Sequence, residues 1–146
     1  MIDASEIAPG LYQGSRPPEG DALRRAGFRT LALCAREIQG GHYPGVRVVR
    51  CPLDDAELSG PEWSAAWRAA REVAAALPHG SVLVTCVQGR NRSGLVSALV
   101  LYLVFGVSSD TCVDLVRAGR DGDLARLGRG GALTNPSFAR AIRALV

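Results

Sequence analysis

One stretch of this 146-residue chain carries most of its chemistry: Val84-Thr85-Cys86-Val87-Gln88-Gly89-Arg90-Asn91-Arg92-Ser93-Gly94. The Cys ends a short apolar run, Ser81 to Thr85, of the kind that forms a strand buried on both faces. After five intervening residues come Arg92, Ser93 and Gly94, and then a long apolar segment. A loop leading into a helix N-terminus gathers its backbone N–H groups into an anion nest. The Arg92 guanidinium adds a planar fork of donors that grips two phosphate oxygens. Gly89 lets the backbone curl without a Cβ clash. At the floor of such a nest, the same N–H groups and the helix dipole favour the Cys86 thiolate. A thiolate in line with a bound phosphorus is a nucleophile for phosphoryl transfer. Ser93 is placed to hydrogen-bond the sulfur as it leaves. The spacing therefore predicts a phosphate loop made of Val87, Gln88, Gly89, Arg90, Asn91 and Arg92, with Cys86 beneath it.

The elements that must hold this loop read as alternating short strands and helices, an α/β pattern. Leu11 to Gln13 is expected to form a short edge strand ending at Gly14, and Asp21 to Ala26 a short helix stopped by Gly27. Phe28 to Cys34 reads as a strand, and so does Val46 to Cys51, broken by Pro52. Ser59-Gly60-Pro61-Glu62 fits a capping box. In the helix that follows, Trp63, Trp67, Ala70, Ala74 and Leu77 recur at helical spacing as a core-facing stripe. Pro78-His79-Gly80 ends it. Leu95 to Phe105 predicts a buried helix too short to span a bilayer. Ser108 or Ser109 caps another helix through Arg117, and Gly119 to Gly131 reads as a loop. Asn135 followed by Pro136 opens a last helix, with Phe138, Ile142 and Leu145 turned inward. The expected fold is α/β: one domain over residues 1–146, with a central, mostly parallel sheet of four or five strands flanked by helices on both faces.

Composition excludes several other readings. A hydrophobic fraction of 47% with 21% charged residues is ordinary for a folded domain. All 17 cationic residues are Arg, a bias expected of a high-GC genome. A net charge of +3 without a basic run gives no case for nucleic-acid binding. The acidic N-terminus has no apolar stretch of the secretory kind, so a cytoplasmic protein is expected. The four cysteines form no CxxC or zinc pattern and read as free thiols. Cys51 and Cys112 are expected in the core.

The motif Cys86-x5-Arg92-Ser93-Gly94 matches the CX5R(S/T)G signature of protein tyrosine phosphatases. The rest of the chain, from about residue 10 to the end, resembles the small dual-specificity branch of that superfamily. Leu11-Tyr12-Gln13-Gly14-Ser15 resembles its first-strand motif, Gly27 to Leu31 a second strand, Cys51-Pro52-Leu53-Asp54-Asp55 its acid loop, and Asn135-Pro136-Ser137-Phe138 its closing helix. The resemblance implies a phosphatase acting on phosphotyrosine and phosphoserine/threonine in proteins through a cysteinyl-phosphate, with no metal and no cofactor. It makes Cys86 the nucleophile, Arg92 the phosphate binder and Ser93 the aid to release. The general acid, which turns base in the second step, falls on Asp55, with the adjacent Asp54 as the alternative. Thr85 stands where the family usually has His; a hydrogen bond from Thr85 to a backbone carbonyl is expected to replace part of its role, with reduced or shifted activity. Cys34 ends its strand much as Cys86 does and resembles a site in the phosphatase-and-tensin-like enzymes, which makes it a candidate redox partner. Arg90 and Asn91 are expected to point outward, while Arg16, Arg36 and Arg126 or Arg129 are candidates to surround the pocket. A monomer without a membrane span is expected. Rival readings are a phosphopeptide-binding module with weak or no turnover, and a phosphatase of small molecules or phosphoinositides. Lys, usual inside the loop of lipid phosphatases, is absent.

Overall fold

The computed structural model describes residues 1–146. Five strands, β1 (Ser5–Ala8), β2 (Leu11–Gly14), β3 (Phe28–Ala35), β4 (Arg47–Leu53) and β5 (Ser81–Thr85), form one sheet in the order β1-β2-β5-β3-β4. Only β1 is antiparallel, to β2; the pairs β2–β5, β5–β3 and β3–β4 are parallel. The helices are α1 (Ala22–Arg25), α2 (Gly60–Ala76), α3 (Arg92–Phe105), α4 (Ser109–Arg126) and α5 (Pro136–Arg143). This is the expected mostly parallel α/β sheet.

β5 lies at the centre with a parallel neighbour on each side, and Val82 to Thr85 are all buried. That placement explains its unbroken apolar run. Thr85 is in register with Gly14 of β2 and Leu33 of β3. β2 and β5 thus end at one level and β3 two residues beyond it, at the sheet edge where ligands bind in parallel α/β sheets. On one face of the sheet, Val82, Val84, Leu95, Leu99, Val73, Val113 and Phe138 belong to a core of 31 buried residues shared with α2 to α5. The other face carries a smaller cluster of Leu23, Phe28, Leu31, Leu33, Tyr43 and Leu83. The short α1 covers it, so the helical layers are unequal.

Four sequence expectations are corrected. Leu11–Gly14 is an inner strand, because β1 takes the edge. With only four residues, β1 offers too little alternation to be recognised. Pro52 lies within β4 rather than ending it. β4 is the opposite edge, and its register shifts beside Pro52, where a missing N–H is tolerated. The buried stripe of α2 is Ala66, Ala69, Ala70, Val73 and Ala76. Trp63 and Trp67 flank it, half-buried and edge to face with ring centroids 5.7 Å apart. Finally, α4 does not stop at Arg117 but runs through Gly119 and Gly122 to Arg126. A Cβ on Gly119 would lie 2.9 Å from Ile7 Cδ1 and 3.0 Å from the Glu6 carbonyl oxygen. This glycine admits the backbone of β1; it does not break the helix.

The helix starts follow the sequence. Ser59 Oγ accepts from Glu62 N at 3.2 Å, Ser108 Oγ from Thr111 N at 3.3 Å, and Asn135 Oδ1 from Ser137 N and Phe138 N at 3.0 and 3.3 Å. No helix is long and apolar enough to cross a membrane.

Candidate active site

Cys86 follows β5 directly and is 5% exposed. Its N–H donates to the Gly14 carbonyl at 3.3 Å, and its Sγ stands 3.2 Å from Ser93 Oγ in the first turn of α3. One residue earlier, the Thr85 hydroxyl donates to the Ala32 carbonyl at 2.8 Å. It ties β5 to β3 just below the sulfur, the kind of bond expected of Thr at this position.

The loop above Cys86 has its carbonyls turned into the protein. Val87 O accepts from Arg16 N at 3.2 Å, Arg90 O from Leu133 N at 3.1 Å and Asn91 O from Leu95 N at 2.8 Å. Gly89 O accepts from Gln13 Nε2 at 3.1 Å and Arg120 Nε at 2.9 Å, and Gln88 O from Arg120 Nη2 at 3.2 Å. The backbone N–H groups of Val87 to Arg92 bond to no protein acceptor. Carbonyls satisfied by the protein and amides left free make a nest for an anion. Gly89, at φ +71°, permits the fold of this loop. A Cβ there would come within 2.6 Å of the Gly14 carbonyl carbon.

A cavity of about 290 Å³ opens over the loop, lined by Glu37, Asp55, Cys86, Val87, Gln88, Arg90, Asn91 and Arg92. Arg92, nearly buried, donates to both oxygens of Glu37 at 2.5 and 3.2 Å and to the Leu53 carbonyl at 3.1 Å. Burial works against the charge of Arg92. The Glu37 carboxylate, with Cys86 and Asp55 adding to it, outweighs that cost and raises the guanidinium above its ordinary range. In return the Arg92 hydrogen bonds hold Glu37 below the usual carboxylate range. On the facing wall, Asp55 accepts from Asn91 Nδ2 at 2.9 Å and Asn135 Nδ2 at 2.8 Å. Asp54 points elsewhere, accepting from Arg36 Nε at 3.0 Å.

Several expectations part here. Asn91 does not point outward: it is 6% exposed and turned toward Asp55 and Asn135. Arg90 lines the cavity but is strapped to Gly131 O and Thr134 Oγ1, both at 3.0 Å. Arg36 is held by Asp54 and Glu62, and Arg126 by Asp123, so neither lines the cavity. Arg129 reaches the loop from behind, donating to Gln88 O at 3.5 Å. Cys34 is fully buried in β3, one strand from Cys86. A hydrogen bond to the Cys51 thiol, reinforced by burial, holds the Cys34 thiol well above its ordinary range. No group of three His, Cys, Asp or Glu side chains stands where it would hold a metal ion.

No family model matches the chain. Mouse dual specificity phosphatase 28 is 30% identical over 118 residues, which cover 80% of this chain and 72% of that protein. The chain belongs to the dual-specificity phosphatases. The crystal structure of human DUSP28 matches with a TM-score of 0.75 at 23% identity, covering 98% of this chain and 92% of that one. A structure of P. aeruginosa TpbA, a Cys-to-Ser variant in complex with phosphotyrosine, matches with a TM-score of 0.60 at 21% identity, covering 97% and 88%.

The supports of the loop in this dual-specificity phosphatase include residues that the sequence reading missed. Arg120 of α4 has no exposed surface. Besides the two loop carbonyls, it bonds Asp3 through Nη1 at 2.7 Å and Nη2 at 2.6 Å, and Ser5 Oγ at 2.9 Å. Gln13 sits beneath Gly89 with no exposed surface. Glu37 and the side chain of Asn135 complete the set around Arg92 and Asp55. The only signal in the sequence was Arg120 itself, an ion-pairing residue inside an assumed loop. Its partner lies 117 residues away.

Proposed function

We propose that this chain is a working phosphatase that hydrolyses phosphotyrosine and phosphoserine/threonine in proteins through a cysteinyl-phosphate. The observation that supports it best is the loop whose carbonyls are satisfied by the protein while its amides stay free, directly over Cys86 and facing Asp55. In this reading the free N–H groups and Arg92 hold the three non-bridging phosphate oxygens, a preorganised set of donors that costs no reorganisation as charge moves. Glu37 fixes the orientation of Arg92. The Cys86 thiolate forms the S–P bond while the P–O bond to the leaving group breaks, and Asp55 gives that oxygen a proton. Asp55, now a carboxylate, takes a proton from water. The water oxygen attacks phosphorus, and the S–P bond breaks with Ser93 bonding the departing sulfur.

A small cavity with an exposed Asp55 rim suits both short and long phosphorylated side chains. The phosphotyrosine in the TpbA complex fits one of the two classes. Hydrolysis of p-nitrophenyl phosphate by wild type and Cys86→Ser tests the reading. Turnover by wild type and none by the variant is the expected outcome. A folded wild type that binds vanadate or phosphate without turnover would instead favour a phosphopeptide-binding module. A redox corollary follows from Cys34. Hydroperoxide would convert the Cys86 thiolate to a sulfenic acid, which the Cys34 thiol attacks with loss of water to give a disulfide. Because the Cys34 thiol is held protonated, the crosslink should form slowly. Peptide mapping without a 34–86 crosslink would remove this corollary.

A further inference from the structure

Beside the phosphate cavity two segments of the chain lie against each other. They are the segment 55–63, which runs into the first turn of α2, and the segment 134–145 that contains α5. Asp55, Arg90 and Asn91 line both the phosphate cavity and a polar hollow of about 400 Å³ that continues over Glu57 and Thr134 to Ser137. Farther along, the same two segments line an open apolar pocket of about 430 Å³, with Leu58 and Trp63 on one side and Ala141, Ala144 and Leu145 on the other. The walls are pinned together: Asn135 Nδ2 donates to the Ala56 carbonyl at 2.9 Å, and Leu58 N to Ser137 Oγ at 2.9 Å. The apolar pocket therefore exists before any ligand arrives.

We infer that this pocket seats a large apolar side chain of the phosphopeptide substrate, three or four residues from the phosphorylated one. The inference rests on the phosphatase reading and adds a sequence preference to it. The spacing follows from α5. Asn135 touches Asp55 at the phosphate end. Ala141 and Ala144 stand roughly 9–14 Å farther along, at 1.5 Å per helical residue. An extended peptide advances about 3.3 Å per residue, so three or four residues cover the distance. A polar hollow followed by an apolar one suits a peptide whose backbone needs hydrogen bonds and whose anchor needs apolar surface to cover. A free inorganic phosphate or small phosphate ester fills the first cavity alone and leaves the apolar end unused.

The test is a set of phosphotyrosine peptides in which one position at a time, from two to five residues on either side, is Ala, Leu or Phe. Phosphate release by wild type gives kcat/KM for each. Leu or Phe should exceed Ala by ~10–100-fold at the third or fourth position on one side only, through KM. Ala144→Glu, which puts a charge at an exposed edge of the pocket, should reduce that ratio to near one. The same peptides are also titrated against Cys86→Ser by fluorescence anisotropy, which reads the pocket without turnover. If p-nitrophenyl phosphate is not hydrolysed, the phosphatase reading fails while the binding ratio still decides the pocket. A flat profile in both assays overturns the inference. So does a dimer in sedimentation that Ala144→Glu dissociates, because a second copy would then occupy the seat.

Discussion

The two walls of the phosphate cavity are built differently. The wall of Cys86 to Arg92 has its carbonyl oxygens bonded from β2, α4 and the backbone around Arg16 and Leu133. Its anchors Gln13 and Arg120 have no exposed surface. The opposite wall, Asp54 to Glu57, is exposed throughout. It is held by Asn91 and Asn135 on Asp55 and by Glu62 on the Asp54 N–H at 2.9 Å. In the proposed mechanism the difference follows from what each wall must do. Donors that stabilise a developing charge act best when fixed and dry. A group that exchanges protons with a leaving oxygen and then with water must stay wet and able to move. Few buried contacts and exposed hydrogen bonds mark the low-stability end of a fold.

The sharpest break between the walls should come from Asp55→Asn, which keeps the size of the side chain and removes its proton. Loss of a general acid lowers kcat by roughly 10²–10⁴, while the affinity for vanadate, which needs only the opposite wall, should stay within a few-fold. The Asp54→Asn variant is the control. An equal loss there would move the acid to Asp54 and undo the comparison.

Next in size is Arg120→Met, aimed at the fixed wall. It removes one donor from each of two loop carbonyls and leaves Asp3 without its main partner. Breaking a buried pair from one side costs about 3 kcal/mol, read as a lower urea midpoint. A loop displaced by an ångström can lose on the order of 10²-fold in rate. Here vanadate affinity should fall together with kcat/KM. If it holds while kcat falls, the clasp does not position the phosphate loop.

Asn135→Ala tests the loose wall more gently. It removes the cap of α5, worth about 1 kcal/mol, and one of the two amides on Asp55. We expect kcat lower by about tenfold, a loss of roughly 1.4 kcal/mol in transition-state stabilisation, with vanadate affinity unchanged. Asn135→Asp would preserve the cap but set two carboxylates against each other. It should lower kcat further while restoring the melting temperature.

The same contrast governs what was legible in the sequence. The Cys86 wall is local: Cys86, Arg92 and Ser93 lie within eight consecutive residues, and a strand, a loop and a helix are enough to bring them together. The central strand β5 was readable to the residue because burial on both faces leaves an unbroken apolar run. The supports of that wall are not local. Arg120 meets Asp3 across 117 positions and Gln13 meets Gly89 across 76, and no periodicity encodes such pairs. Gly119 misled for a physical reason. A glycine needed for close approach looks, in one dimension, like a glycine that ends a helix. Asp55 was preferred to Asp54 by resemblance alone, because the partners that turn one toward Asn91 and the other toward Arg36 are distant in the chain.

The finest test is a pH dependence at the clasp. Burial of Asp3 by itself would raise its pKa. The hydrogen bonds and charge of Arg120, with bonds from Ser15, outweigh that and bring it below the ordinary 3.8. A carboxylate depressed by folding stabilises the native state above its unfolded pKa and loses that contribution as pH falls through the folded value. Asp3→Asn should therefore lower stability by about 1 kcal/mol at pH 7, read from urea midpoints. The gap between wild type and variant should stay constant down to about pH 5 and close below 3.8. Other depressed carboxylates, Glu37 and Glu62, weaken both proteins alike, so the difference isolates Asp3. A gap that persists undiminished to pH 3 would mean that the Asp3 charge does not hold Arg120. The rigidity of the phosphate wall would then rest on Gln13 and the backbone alone.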